Sequence, residues 1–197
     1  MTARALFDDA LRAAKDWHSA LPAAHGFCPW PSDICYSDRA PHFLPAADLV
    51  ITAPGATSLR SAPLLKALQA LAPHLEWRHT YTFDEVGQAF LDNFGWFELA
   101  GPTGHFITHQ TRITVGYWGP GLTYDRHHHV AEELSTVVSG QALFLSDGDA
   151  DETLGADGTR YHASNQPHAL QTLEDPLLVL VFWRGEGLGA APALSLS

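Results

Sequence analysis

GLTYDRHHHVAEELSTVVSG, residues 121–140, decides how the chain is read. His127, His129 and Glu133 fall at even separations within it. Alternate residues of an extended strand share a face, so these three side chains are expected to point one way and His128 the other. Two imidazoles and a carboxylate on one face make a ligand set for a borderline divalent metal, with Zn, Fe, Mn, Co and Ni as candidates. Val137 and Val138, and then Ala142 to Leu145, continue an apolar, β-prone run. A ligand-bearing strand entering a hairpin turn near Ser139-Gly140 is therefore predicted.

Outward from this stretch the C-terminal half keeps a β texture. Residues 96–99 and 105–118 read as strands, the second with clear alternation. Gly119-Pro120-Gly121 is a turn, and the acidic residues 146–158 read as a solvated hairpin tip. Short strands follow at 159–163 and 168–173, and Leu177 to Trp183 is apolar enough to be buried on both faces. Short strands with regular turn signals predict an all-β barrel or sandwich. The N-terminal third differs. Residues 2–20 place Leu6, Ala10, Ala13, Ala14 and Trp17 at helical spacing behind a Thr2 cap. Further helices are expected over 61–72 and 83–92, the former with Ser61 as N-cap and Pro63 in its first turn. Residues 22–58 are rich in Pro, Ser, Asp and Gly and read as irregular, wrapping over the barrel, with a lid or a dimer contact as alternatives.

Composition narrows the classes. The 197 residues are 46% hydrophobic and 17% charged, enough for one sizeable core, and the net charge of −11 argues against nucleic acid or an anionic membrane as partner. A small-molecule substrate is expected instead. Five of the twelve histidines lie between His105 and His129, which favours a metal. Cys28 and Cys35 have no second pair, so a zinc ribbon is excluded and free thiols are expected. The N-terminus lacks the apolar run of a signal peptide, and a cytoplasmic location is expected.

The same stretch resembles the first signature of the cupin superfamily, G-x5-H-x-H-x3-E-x6-G, at every position. NQPHALQT resembles the second signature more loosely, with Asn165 and Thr172 where that signature carries Gly and Asn, and supplies His168. The resemblance implies a mainly β fold, a cupin barrel (a double-stranded β-helix, or jelly roll) over 93–187. A helical cover over 1–92 precedes it and a flexible tail over 188–197 follows. A homodimer is a possible assembly for such barrels. FLDNFGW, YWGPGLTYDRHHHVAEEL, VVSG and PLLVLVFWRG narrow the resemblance to the cupin lyases that cleave dimethylsulfoniopropionate. This implies β-elimination to dimethyl sulfide and acrylate, with metal ligands His127, His129, Glu133 and His168.

The lyases of that family usually carry a tyrosine two residues after the glutamate ligand as the base. This chain has Ser135 there, and a serine hydroxyl is a poor base without an activator. Tyr124 matches a second family tyrosine near the substrate and is the other candidate base. Trp183, at a position like a family pocket tryptophan, together with Phe144, Trp118 and Tyr161, forms the candidate substrate pocket, where aromatic faces can stabilise a sulfonium. A cupin oxygenase or isomerase, or a ligand-binding cupin without turnover, are the alternative readings.

Overall fold

The computed structural model describes residues 2–195. Helix α1 (Ala3–Ala20) starts where the Thr2 hydroxyl accepts from the Ala5 N–H, as its cap position predicts. The stretch read as irregular holds regular elements: α2 (Pro22–Phe27), β1 (Cys35–Tyr36) and α3 (Pro45–Thr52). Pro22 and Pro45 each open a helix, where a missing N–H costs nothing, so the prolines that suggested loops are helix starts. Helix α4 (Ala62–Leu71) lies as predicted, although the Ser61 hydroxyl accepts from the Ser58 N–H rather than capping it. The third expected helix is two single turns, α5 (Phe83–Val86) and α6 (Gln88–Leu91), divided at Gly87, whose φ is +74°.

The barrel begins with β2 (Phe94–Gly101). Residues 105–118 form β3 (Phe106–Ile107) and β4 (Arg112–Trp118) rather than one strand. The gap is held by Asp33, which accepts from the Thr108 hydroxyl and from the His109 N–H. The predicted ligand strand is also two, β5 (Thr123–His128) and β6 (Glu132–Ser146), with a turn over 129–131. There the His129 ring bonds the Ala131 carbonyl, a local bond that competes with the ladder. Strand β6 does not end at Ser139-Gly140. Gly140 has φ +72° and hands its N–H to Ala56 O, and the strand bends and continues to Ser146. A Cβ at Gly140 would lie 1.7 Å from Pro176 O, so the bend requires glycine. Then follow β7 (Glu152–Gly155), β8 (Thr159–His162), β9 (His168–Gln171), β10 (Leu177–Arg184) and β11 (Ala193–Leu194).

The strand order is β1-β3-β2-β4-β10-β6-β9-β5-β11, with β7 and β8 also on β6. Strand β6 joins the two sheets. Its first half pairs with β10 and β8 and its second half with β7 and β9, which closes the cupin barrel. Strand β10 is buried on both faces, as its continuous apolar run predicts. Leu178, Leu180 and Phe182 join the helical layer around Phe7, Trp17 and Leu68, while Leu177, Val179, Val181 and Trp183 face the barrel interior. Trp17 reaches from α1 to donate to the Thr136 hydroxyl at 3.0 Å. Among the described residues no helix is long and apolar enough to cross a membrane.

Candidate metal centre and cavity

Ladder register, rather than spacing along one strand, brings the ligand set together. His127 on β5 lies directly opposite His168 on β9, with ring centroids 4.2 Å apart. Glu133 on β6 lies opposite Trp183 on β10, and Trp183 opposite Arg112 on β4. Glu133 also lies opposite His162 on β8, so Arg112, Trp183, Glu133 and His162 form one inward row across four strands. His129 enters from the 129–131 turn and stacks on Trp183, centroids 4.0 Å apart. All four predicted ligands are buried, and His127, His129 and His168 offer ring nitrogens within 4.8 Å of one another.

The tautomers follow from the backbone. The Nδ1 atoms of His127, His129 and His168 lie 2.9, 2.8 and 2.8 Å from the carbonyls of Asp125, Ala131 and Gln166. A carbonyl only accepts, so each Nδ1 carries a proton, and in the neutral ring the Nε2 presents a lone pair. The His168 Nε2 is buried without a partner. The His129 Nε2 faces the Glu133 Oε2 at 3.0 Å. Two lone pairs at that distance repel unless a cation lies between them, a proton or a metal ion. Burial alone would raise the Glu133 carboxyl, but the His129 contact and the fields of His168 and His162 hold it well below the usual range. Burial pushes the His127 imidazole down to about 3, and the His168 imidazole also down, so both stay neutral and able to ligate. The donor set fits a divalent ion: three imidazoles and one carboxylate, with a carbonyl fixing each ring.

Glu133 is also held by its surroundings. Its Oε2 accepts from Trp183 Nε1 at 2.7 Å and its Oε1 from the Ser135 hydroxyl at 2.9 Å. His127, Glu133 and His168 line a cavity of about 90 Å³, together with Trp96, Trp118, Tyr124, Ser135, Phe144 and Trp183. Tyr124 is buried, edge-on to His127 at 4.6 Å between centroids, and burial and the neighbouring Tyr81 push its phenol well above the ordinary value. Tyr161 is not in the cavity. It is 45% exposed on the outer face of β8 and donates to Glu132 at 2.8 Å. Its neighbour His162 points inward instead, stacked on His168 with centroids 3.9 Å apart, and its Nε2 lies 3.9 Å from the Glu133 Oε1.

Sequence reasoning missed His162, Trp96 and Arg112. The alternation of β8 and its pairing with β6 would have found the first; nothing local marks the other two, because Arg112 is a buried charge paired with Glu98 at 2.9 Å. It also missed the end of the chain. Residues 188–197 were expected as a flexible tail, but Ala193–Leu194 form β11 against β5, and Pro192 lines the cavity; residues 196 and 197 lie outside the described residues.

The sequence pattern of the dimethylsulfoniopropionate lyase family matches residues 40–179. The dimethylsulfoniopropionate lyase DddQ of Ruegeria pomeroyi is 33% identical over 189 residues, covering 96% of this chain and 94% of that protein. Its crystal structure superposes with a TM-score of 0.90 over 96% of each chain. A second crystal structure, described with the DMSP lyases RdDddP and RnDddQII, gives a TM-score of 0.97 at 53% identity, over 99% of this chain and 100% of that one. With its barrel and this similarity along nearly its whole length, the chain belongs to the dimethylsulfoniopropionate lyase family.

Proposed function

We propose that the chain is a metal-dependent carbon–sulfur lyase that cleaves dimethylsulfoniopropionate to dimethyl sulfide and acrylate. The observation that carries the metal part is the convergence of His127, His129 and His168, each ring oriented by a backbone carbonyl, with ring nitrogens within 4.8 Å of one another and the His168 Nε2 buried without a partner. A divalent cation held by His127, His129, Glu133 and His168 would supply Lewis acidity to the substrate carboxylate and a charge that favours the Tyr124 phenolate.

The remaining roles belong to the cavity wall. Trp96, Trp118 and Trp183 line the same space as the ligands, and their ring faces suit a sulfonium without competing for a proton. Tyr124 Oη takes the α-proton. The Cα–H electron pair becomes the second Cα–Cβ bond, and the Cβ–S pair leaves on sulfur as neutral dimethyl sulfide. The Ser135 hydroxyl already donates to Glu133, so we assign it to positioning that carboxylate rather than to proton removal. Phe144 packs in the wall beside them.

The test is headspace dimethyl sulfide and dissolved acrylate, measured in equal amounts, from protein loaded separately with Zn, Fe(II), Mn, Co and Ni. Tyr124→Phe is expected to lower turnover by about 10²- to 10⁴-fold, the usual span for a general base, and Ser135→Ala by about 10- to 100-fold, the usual cost of losing a group that orients a metal ligand. Full turnover in Tyr124→Phe with its loss in Ser135→Ala would move the proton acceptor to Ser135. No gas with any metal would refute the lyase reading.

A further inference from the structure

The chain does not leave the barrel when β10 ends. It turns at Gly187, whose φ is +75°, and Ala190 N donates back to Gly187 O at 2.9 Å. The Ala190 carbonyl then accepts from Arg112 Nη1 at 3.1 Å. Pro192 follows and lines the cavity. Ala193 and Leu194 pair with His128 and His127 on β5, and Ser195 N donates to Arg126 O at 2.8 Å. The Ser195 hydroxyl also meets His128 Nδ1 at 3.0 Å.

Two features make this segment more than a packed end. Its anchors are both parts of the site. One is the strand that carries His127. The other is Arg112, a guanidinium only 7% exposed, ion-paired to Glu98 at 2.9 Å and lying over the Trp183 and Trp96 rings at 4.8 and 5.2 Å. The span between the anchors is held by hydrogen bonds and little apolar packing, since Ala190, Ala191, Ala193 and Leu194 are exposed. Such a segment opens at lower cost than the barrel core. The cavity it borders is small. Its volume is about 90 Å³, so any wall that moves changes which molecules fit.

We propose that residues 187–195 form a strap that walls the cavity and sets the largest substrate it admits, with Arg112 as the positioning residue that anchors it. What is turned over behind the strap rests on the lyase reading; what the strap covers does not.

The experiment compares the parent with an Ala193→Pro, Ser195→Pro double variant, which removes the Ser195 donor and disrupts the β11–β5 pairing. A second variant ends the chain after Gly189. Unchanged circular dichroism and a melting midpoint within a few degrees establish that each is folded, and the second stands in should the first fail. Acrylamide quenching of tryptophan fluorescence reads access to Trp96, Trp118 and Trp183 without metal or turnover. It is expected to rise at least about twofold. The ratio of kcat/KM for a dibutyl sulfonium propionate to that for the dimethyl compound is expected to rise at least about tenfold. Unchanged quenching in a folded variant overturns the strap as a wall, and raised quenching with an unchanged ratio overturns it as the size limit. A parent that releases no sulfide from either compound defeats the lyase reading, while quenching still decides whether the strap encloses the cavity.

Discussion

Trp183→Phe isolates one hydrogen bond. The indole Nε1–H donates to Glu133 Oε2 at 2.7 Å while the ring stacks on His129, so phenylalanine keeps most of the apolar surface and removes the donor. A hydrogen bond to a charged group contributes about 1.5–3 kcal/mol net, which corresponds to roughly 10- to 150-fold in an equilibrium constant. Loss of a group that orients a metal ligand costs about 10- to 100-fold in affinity, so both routes give the same range. Competition with a chromophoric chelator for Co(II) or Zn should therefore show binding weakened by about 10- to 100-fold. Trp96→Phe is the control. Trp96 lines the same cavity, and its Nε1 has no partner, so its affinity should stay within about threefold. Trp183→Phe binding as tightly as the parent, or Trp96→Phe weakening equally, would refute the assignment of Trp183 as the group that orients Glu133.

Other outcomes follow from single contacts. Gly140→Ala forces a Cβ to 1.7 Å from Pro176 O at a φ of +72°; unfolding in urea should show a loss of about 3 kcal/mol or more. Tyr161→Phe removes only an exposed bond to Glu132 and should leave turnover and metal affinity unchanged while costing under about 1 kcal/mol of stability. His105, 1% exposed, is pushed by burial down to about 4, partly opposed by Glu76. Below its unfolded value the unfolded chain takes up a proton that the folded chain refuses. Stability therefore falls as pH drops from about 6.5 to about 4, by at most about 3 kcal/mol from this group. Unfolding free energies of His105→Gln across that range should show a shallower acid slope, and identical slopes would refute the role.

The barrel and the convergence of its candidate ligands were legible because the signals were local in the chain. Spacing marked His127, His129 and Glu133, and the apolar run of β10 required burial on both faces. The reason given for their convergence was incomplete. His129 lies in a turn, and the set meets through cross-strand register, which a single strand's periodicity cannot state. The same limit explains Tyr161 and His162. Choosing between adjacent residues on β8 needs the register against β6, because a one-residue slip exchanges the faces. Residues 22–58 misled for a different reason. Pro22 and Pro45 open helices, and a first-turn proline looks like a loop residue until the helix after it is seen. The order of residues 187–195 depends on a buried Arg112, 78 residues before Ala190, and on β5, neither of which the tail's own composition reveals.

The most direct test of the central claim is a metal titration of stripped protein in which bound metal and dimethyl sulfide release are read on the same samples. Release is expected to rise in proportion to occupancy and to saturate at about one metal ion per chain, as one mononuclear ligand set requires. His129→Ala is expected to bind metal at least about tenfold more weakly and to release no sulfide above background. Full release from metal-free protein, or stoichiometric tight binding that survives His129→Ala, would contradict a metal-dependent site built on His129.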